Sequence, residues 1–258
     1  MSTKNTTSRP PSNNFLNWDD QSKIDAPIYR FMPFARLREM ATGKKNCLVR
    51  TKLWDDPFEN FLFSATALDE HGNRIGFGMR DDLYGQCWTD AEETDAMWRI
   101  YSHEKDGVRV RCTPRKLLSG LYKSEGKFRD ISCFIGKVSY HSEDAIRASI
   151  TDPKFVNAAA FDTSGVNQCK TLLLKRLAFS HESEVRLIYL SPNKRSSAED
   201  RFFYPLDPLL LFDEIVLDPR LEDSAVAAHR ADLATLGFNC TVRQSDLYRI
   251  PNLVARLS

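Results

Sequence analysis

Residues 212–245 read "FDEIVLDPRLEDSAVAAHRADLATLGFNCTVRQS", and this stretch decides the fold class. "FDEIVLDP" has the short apolar run and the turn-forming close of a strand. Residues 222–237 follow as a helix that Gly237 is placed to end, because glycine takes the left-handed terminal position at no steric cost. "NCTVRQS" is a strand again. Strand, helix and strand in this order predict a βαβ unit with a parallel pair and a right-handed crossover.

Working outward from that unit, strands and helices interleave irregularly. "IYRF" reads as a strand and "PFARLREMATG" as a helix. Pro33 suits the first turn of this helix, Leu37, Met40 and Ala41 its apolar face, and Gly43 its end. "NCLVRT" completes a β-α-β opening. "LYGQCWT" is a short strand, and "TDAMWRIYS" a helix capped by Thr94 with Met97, Ile100 and Tyr101 at helical spacing. "GVRVRCT" alternates, with Val108, Val110 and Cys112 on one face and Arg109 and Arg111 on the other, a solvated face by default and a phosphate site only if it is concave. Thr113-Pro114 starts the helix "PRKLLSGLY", and "FIGKVSYH" is a further strand. Residues 142–179 read as mainly helical, ending in the apolar "CKTLLLKRLAF". "FSHESEVRLIYL" (179–190) then reads as a strand with Glu182, Glu184 and Arg186 on one face and Val185, Leu187 and Tyr189 on the other. Residues 1–26, rich in Ser, Thr, Asn and Pro, read as a mobile tail, and 69–82 as a surface excursion. The expected fold is α+β: a single domain over 27–258, a mixed β-sheet with surrounding helices and the C-terminal βαβ unit.

The chain has 258 residues, 36 Lys and Arg, 35 Asp and Glu, and a net charge of +1. Nothing in that balance favours nucleic acid or an anionic membrane. No apolar run approaches a membrane span. Six scattered cysteines without a C-x-x-C pair read as reduced thiols of a cytoplasmic protein.

Phosphate-loop, dinucleotide-fingerprint, nucleophile-elbow and zinc-protease motifs are absent. The five histidines show no metal-ligand spacing, so no metal site is assigned. "WDDPFE" is open to two readings. It is a structural turn closed by Asp55 or Asp56 over Trp54 and Phe58, or a hard-metal cluster of Asp55, Asp56 and Glu59. Trp88, Trp98 and Tyr101 either stack on a nucleobase or nicotinamide ring, or fill the core.

The ordered pieces "IYRF", "LWDDPFE", "CWT…DAMWRIYS…GVRV", "FIGKVSY", "LLLKRLAFSHESEVRLIYL" and "DEIVLDP" resemble the bacterial family called domain of unknown function 2971. The resemblance runs from about residue 28 to 250. Members commonly show Phe-Asn-Asp-Pro-Phe near Leu53–Phe58, Cys-Phe-Ser near Cys87–Thr89, and Glu-x-Glu-[aromatic]-Arg near Glu182–Arg186. The resemblance names a relative and implies no activity.

Three functional readings stand. The first is a binding or regulatory domain for a small nucleotide or a partner. The alternative is an ADP-ribosyltransferase-like enzyme using NAD. Arg30 on an early strand, Trp88-Thr89 on a middle one and Glu184 on a late one follow the order of arginine, aromatic or hydroxyl, and glutamate in those enzymes. There Glu184 and Glu182 are the catalytic candidates, and Arg30, Trp88, Thr89, Trp98 and Arg186 the cofactor-binding ones. A fixed carboxylate answers the positive charge that builds on the sugar, and an arginine anchors the pyrophosphate. A metal-dependent phosphoesterase on Asp55, Asp56 and Glu59 is the second alternative.

Overall fold

The computed structural model describes residues 9–56, 58–59, 67–68, 71–75, 82–191 and 199–251, the side chains of 67, 68 and 75 excepted. Its strands are β1 (Phe15–Leu16), β2 (Ile28–Pro33), β3 (Lys45–Arg50), β4 (Ala67–Leu68), β5 (Arg74–Ile75), β6 (Leu83–Thr89) and β7 (Gly107–Cys112). After these come β8 (Cys133–Lys137), β9 (Ser139–His141), β10 (Leu174–Arg176), β11 (Glu184–Leu190), β12 (Arg201–Pro205), β13 (Glu214–Leu217) and β14 (Thr241–Gln244). The main helices are α1 (Phe34–Gly43), α2 (Asp95–Tyr101), α3 (Pro114–Ser124), α4 (Arg129–Ser132), α5 (Glu143–Thr151), α6 (Pro153–Ala160), α7 (Val166–Thr171), α8 (Pro208–Leu211) and α9 (Asp223–Thr235).

The large sheet is mixed and runs β1-β8-β11-β6-β2-β7-β13-β14, with β3 attached to β6 and β12 to β3. β13, α9 and β14 form the expected βαβ unit, its strands parallel from Glu214↔Thr241 to Leu217↔Gln244. The α+β fold follows as the sequence predicts.

The sheet forks at β6. β11 occupies one edge of β6 along its whole length, from Glu184↔Thr89 to Leu190↔Leu83. The other edge takes β2 only at Tyr29↔Thr89 and β3 only at Val49↔Gly85 and Arg50↔Tyr84. Between those points, opposite Gln86–Trp88, β2 and β3 part. The β-α-β opening is therefore real in order but not in pairing: its two strands never meet, and both run antiparallel to β6.

One face of the sheet is covered by α1, α3 and α9, through Leu37, Met40, Leu117, Leu121, Val226 and Leu233. The other face is covered in two separate patches. Ile146, Ala159 and Cys169 of α5–α7 lie over Leu83, Phe134 and Ile188, while Met97 and Trp98 of α2 lie over Phe31 and Val216. The gap between these patches sits over the fork.

Several expectations need correction. Residues 9–26 are not a tail. Phe15, Leu16, Trp18 and Ile24 are buried, and β1 lies parallel to β8. Four apolar anchors in a polar stretch suffice because each fills a gap in an existing core. "FSHESEVRLIYL" becomes a strand only at Glu184. Residues 177–182 form a 3-10 helix, and Ser183 takes a left-handed φ of 42°. "CKTLLLKRLAF" is not one helix: α7 stops at Thr171 and β10 follows. "FIGKVSYH" divides at Val138, so that β9 leaves the main sheet to pair with β10. Arg109 is not solvated; it is fully buried, bonded to Glu214 at 2.6 Å and stacked on Tyr29. The helix end expected at Gly43 is completed by Lys44, with φ 44°. Pro57 and most of the 69–82 excursion lie outside the described residues. Among the described residues no helix is long and apolar enough to cross a membrane, and all six cysteines are free.

Candidate functional site

A cavity of about 210 Å³ lies over the fork. On the water-volume scale that is roughly seven molecules, the size of one ring-bearing group rather than a whole dinucleotide. β2 lines it with Tyr29, Arg30 and Phe31, β3 with Cys47 and Val49, and α2 with Met97 and Tyr101. Trp54, Glu182, Glu184 and residues 85–89 of β6 complete the wall. Trp54 lies flat on the strand because residue 85 is glycine; a Cβ there would sit 2.4 Å from the indole.

On one side the wall rests on a buried charge cluster. Lys175 of β10 places Nζ 2.9 Å from Glu59 Oε1, 2.6 Å from Glu182 Oε2 and 3.2 Å from Glu184 Oε2. Arg186 donates from Nη2 to Glu184 Oε2 at 2.7 Å and to Glu59 Oε1 at 2.8 Å. Its Nη1 donates to the Leu172 carbonyl, and the Trp54 ring covers the guanidinium at 4.4 Å. Glu184 and Arg186 share a face by the period-2 rule, one residue between them. Three carboxylates meet two cations here, so the cluster retains one negative charge. Both cation contacts of Glu184 fall on Oε2, which leaves Oε1 without a cation on the residue that lines the cavity. Burial alone would raise the Glu184 carboxyl, but Arg186 and Lys175 outweigh it and hold the group below its ordinary value. Burial would likewise depress Lys175, and Glu184, Glu182 and Glu59 more than reverse it. The carboxylate is thus fixed in place and ionised.

Arg30 lines the same cavity. The residue is half-buried, and burial lowers its pKa. It makes no hydrogen bond or ion pair with any described residue, and no carboxylate is among the groups that act on it most strongly. Strand register pairs Arg30 with Val110, on the face away from Glu184. It reaches the cavity nonetheless, because β2 leaves β6 immediately after Tyr29. A guanidinium removed from water without an anion is costly, so this position suits an anionic ligand.

The sequence-predicted residues divide accordingly. Arg30, Thr89, Glu182 and Glu184 line the cavity. The Thr89 hydroxyl is already committed, donating to the Glu182 carbonyl at 2.6 Å and accepting from Ala91 N–H. Trp88 contributes to the wall, but its ring belongs to the core: it packs near Phe212, and its Nε1 donates to Gln86. Trp98 as a cofactor contact is corrected. It is fully buried against Phe31, 4.8 Å between centroids, with no part in the cavity wall. Arg186 is corrected likewise: it is fully buried behind Glu184 and acts on that carboxylate. Glu182 stands on the 3-10 helix rather than on the strand.

In "WDDPFE", Asp56 Oδ1 accepts from Phe58 N–H at 3.0 Å and pairs with Arg176 at 2.9 Å, which is the turn reading. Glu59 belongs to the charge cluster. Among the described residues no three His, Cys, Asp or Glu side chains gather as metal ligands. Sequence reasoning missed Lys175, Glu59 in its buried role, and the rings of Tyr29, Phe31 and Trp54 at the cavity. Lys175 had a usable signal, since a cation directly after the apolar run Leu172–Leu174 that is drawn into the core with it requires buried carboxylates.

Residues 97–187 match the family model described as "Protein of unknown function (DUF2971)". This segment carries the DUF2971 signature. The resemblance drawn over residues 28 to 250 is borne out across that stretch, which holds Tyr101, Lys175, Glu184 and Arg186 of the site. No curated protein matches the chain. Solved structures of Thermus sp. 2.9 DarT are similar at low identity. The complex with NAD+ has 10% identity, a TM-score of 0.36, and covers 86% of this chain and 96% of that one. The complex with carba-NAD+ has 9% identity, a TM-score of 0.35, and coverage of 85% and 95%. The complex with ADP-ribosylated ssDNA has 10% identity, a TM-score of 0.37, and coverage of 86% and 94%. A likeness of this degree carries nothing over to this chain.

Proposed function

We propose that this chain is an NAD-consuming enzyme of ADP-ribosyltransferase type. One observation carries the reading: one small cavity is lined both by Arg30, which has no ion-pair partner among the described residues, and by Glu184, an anchored and ionised carboxylate. The ligand that satisfies both ends has an anionic group for Arg30 and a centre of positive charge for Glu184. A phosphate-linked nicotinamide riboside has both. In that pose the C–N glycosidic bond breaks, and its electron pair leaves on the nicotinamide nitrogen, which neutralises the ring. The sugar carbon gains positive charge that Glu184 Oε1 stabilises at close range. An acceptor then bonds to that carbon and loses its proton. The excess negative charge of the Glu59–Glu182–Glu184 cluster favours the same step. Tyr29, Phe31 and Tyr101 supply ring surface beside it.

The test is nicotinamide release from NAD by the purified chain and by Glu184→Gln. The substitution leaves two carboxylates against two cations, a balanced cluster, so the variant is expected to fold and to bind NAD. Its turnover should fall about 10²–10³-fold, the usual cost of removing one charged transition-state contact. NAD bound by both proteins without nicotinamide release from either would favour a binding or regulatory domain instead.

A further inference from the structure

We propose that the open face of β3 and β12 beside the cavity binds the second nucleotide half of the dinucleotide, with its purine stacked on Phe203 and its phosphate held by Lys45 and Arg201. This rests on the NAD reading and names a site which that reading leaves unplaced. At about 210 Å³ the cavity takes a ring and a sugar, and Arg30 in its wall is the cation for the first phosphate. The rest of the ligand lies outside.

The ladder shows what it would meet. Cys47 and Val49 line the cavity, and their partners across the pair are Phe203 and Arg201, on the same face. Lys45 is on that face too, two residues before Cys47. Phe203 is 46% exposed, whereas its neighbours Phe202 and Tyr204 point into the core. Lys45 holds its ammonium 4.7 Å over the Phe203 ring. β12 pairs with β3 on one edge, and Phe203 and Lys45 border a groove of about 620 Å³ along Arg38, Thr42 and Gly43 of α1. Arg36, Arg201, Arg30 and Lys45 all act on the thiol of Cys47, so four cations lie around this residue of the cavity wall. Glu39, the acid of the groove, is paired with Arg36 at 2.8 Å. An exposed ring flanked by Lys45 and Arg201, neither ion-paired among the described residues, is the chemistry that holds a base with its phosphate. Two strand spacings, roughly 10 Å, separate β12 from β6, within the reach of a pyrophosphate link.

Calorimetric titration of NAD and of nicotinamide mononucleotide into the wild type, Phe203→Ala and Phe203→Trp tests this. The wild type should bind NAD at least about tenfold tighter than the mononucleotide, in line with one base stacked on one ring. Phe203→Ala should lose that advantage while keeping its mononucleotide affinity, and Phe203→Trp should restore it. Equal affinity of the wild type for both ligands, or equal weakening of both by Phe203→Ala, overturns the second subsite and leaves the transferase reading standing. Failure of both ligands to bind the wild type removes the transferase reading itself, and this inference with it.

Discussion

At the scale of single residues, Glu184 is held by what surrounds it rather than by its own strand. Arg186 follows from the period-2 pattern and was legible beside it. Lys175 and Glu59 lie 9 and 125 residues away in sequence, and only folding brings Lys175 to the Glu184 carboxylate and Glu59 to the same two cations. Because the folded-state pKa of Glu184 is depressed, its ionised form adds stability above the ordinary value of 4.5. That contribution is lost as pH falls through the lower, folded value. The difference in melting temperature between wild type and Glu184→Gln should therefore stay constant from neutral pH to about 4.5 and shrink only below it. A difference that already shrinks near neutrality would mean that the cluster shares a proton and that Glu184 is not fixed as an anion.

Among the elements, the N-terminal segment is the clearest case of tertiary context overriding composition. Serines, asparagines and prolines at 1–26 suggest disorder, yet β1 extends the sheet beyond β8, and Trp18 packs edge-on near Phe15 at 6.4 Å. Phe15, Leu16, Trp18 and Ile24 are all buried, and each such side chain contributes about 1.5–3 kcal/mol. Deleting residues 1–26 should cost several kcal/mol and lower the melting temperature sharply, with Trp18→Ala giving an intermediate loss. Two unchanged melting curves would return the segment to the status of a tail. The helix starts were legible for local reasons. Thr94 and Thr113 accept from the third residue beyond, Met97 and Lys116, as their positions predict.

Across the whole molecule, the fork makes the site. Parting β2 from β3 leaves part of the β6 edge unpaired and opens the gap whose wall Arg30 and Glu184 share. An unpaired, half-buried guanidinium opposes folding unless a ligand neutralises it. Arg30→Met should therefore raise the stability of the ligand-free protein, by about 1–2 kcal/mol, while abolishing the thermal shift produced by NAD. Denaturant melts with and without NAD measure both halves of this expectation. A destabilised variant would show that Arg30 serves the fold and not a ligand.

The α+β class, the βαβ unit, the helix caps and the alternation that puts Glu184 with Arg186 were determined by the sequence itself. They depend on neighbours two to four residues away, and local geometry enforces them. The fork, the placing of Arg30 and Glu184 in one cavity wall, the removal of Trp88 and Trp98 to the core, and the five-membered charge cluster were decided only by the tertiary structure. Each depends on which strands share an edge and on where they separate, and strand pairing between distant segments leaves no periodic trace in either one.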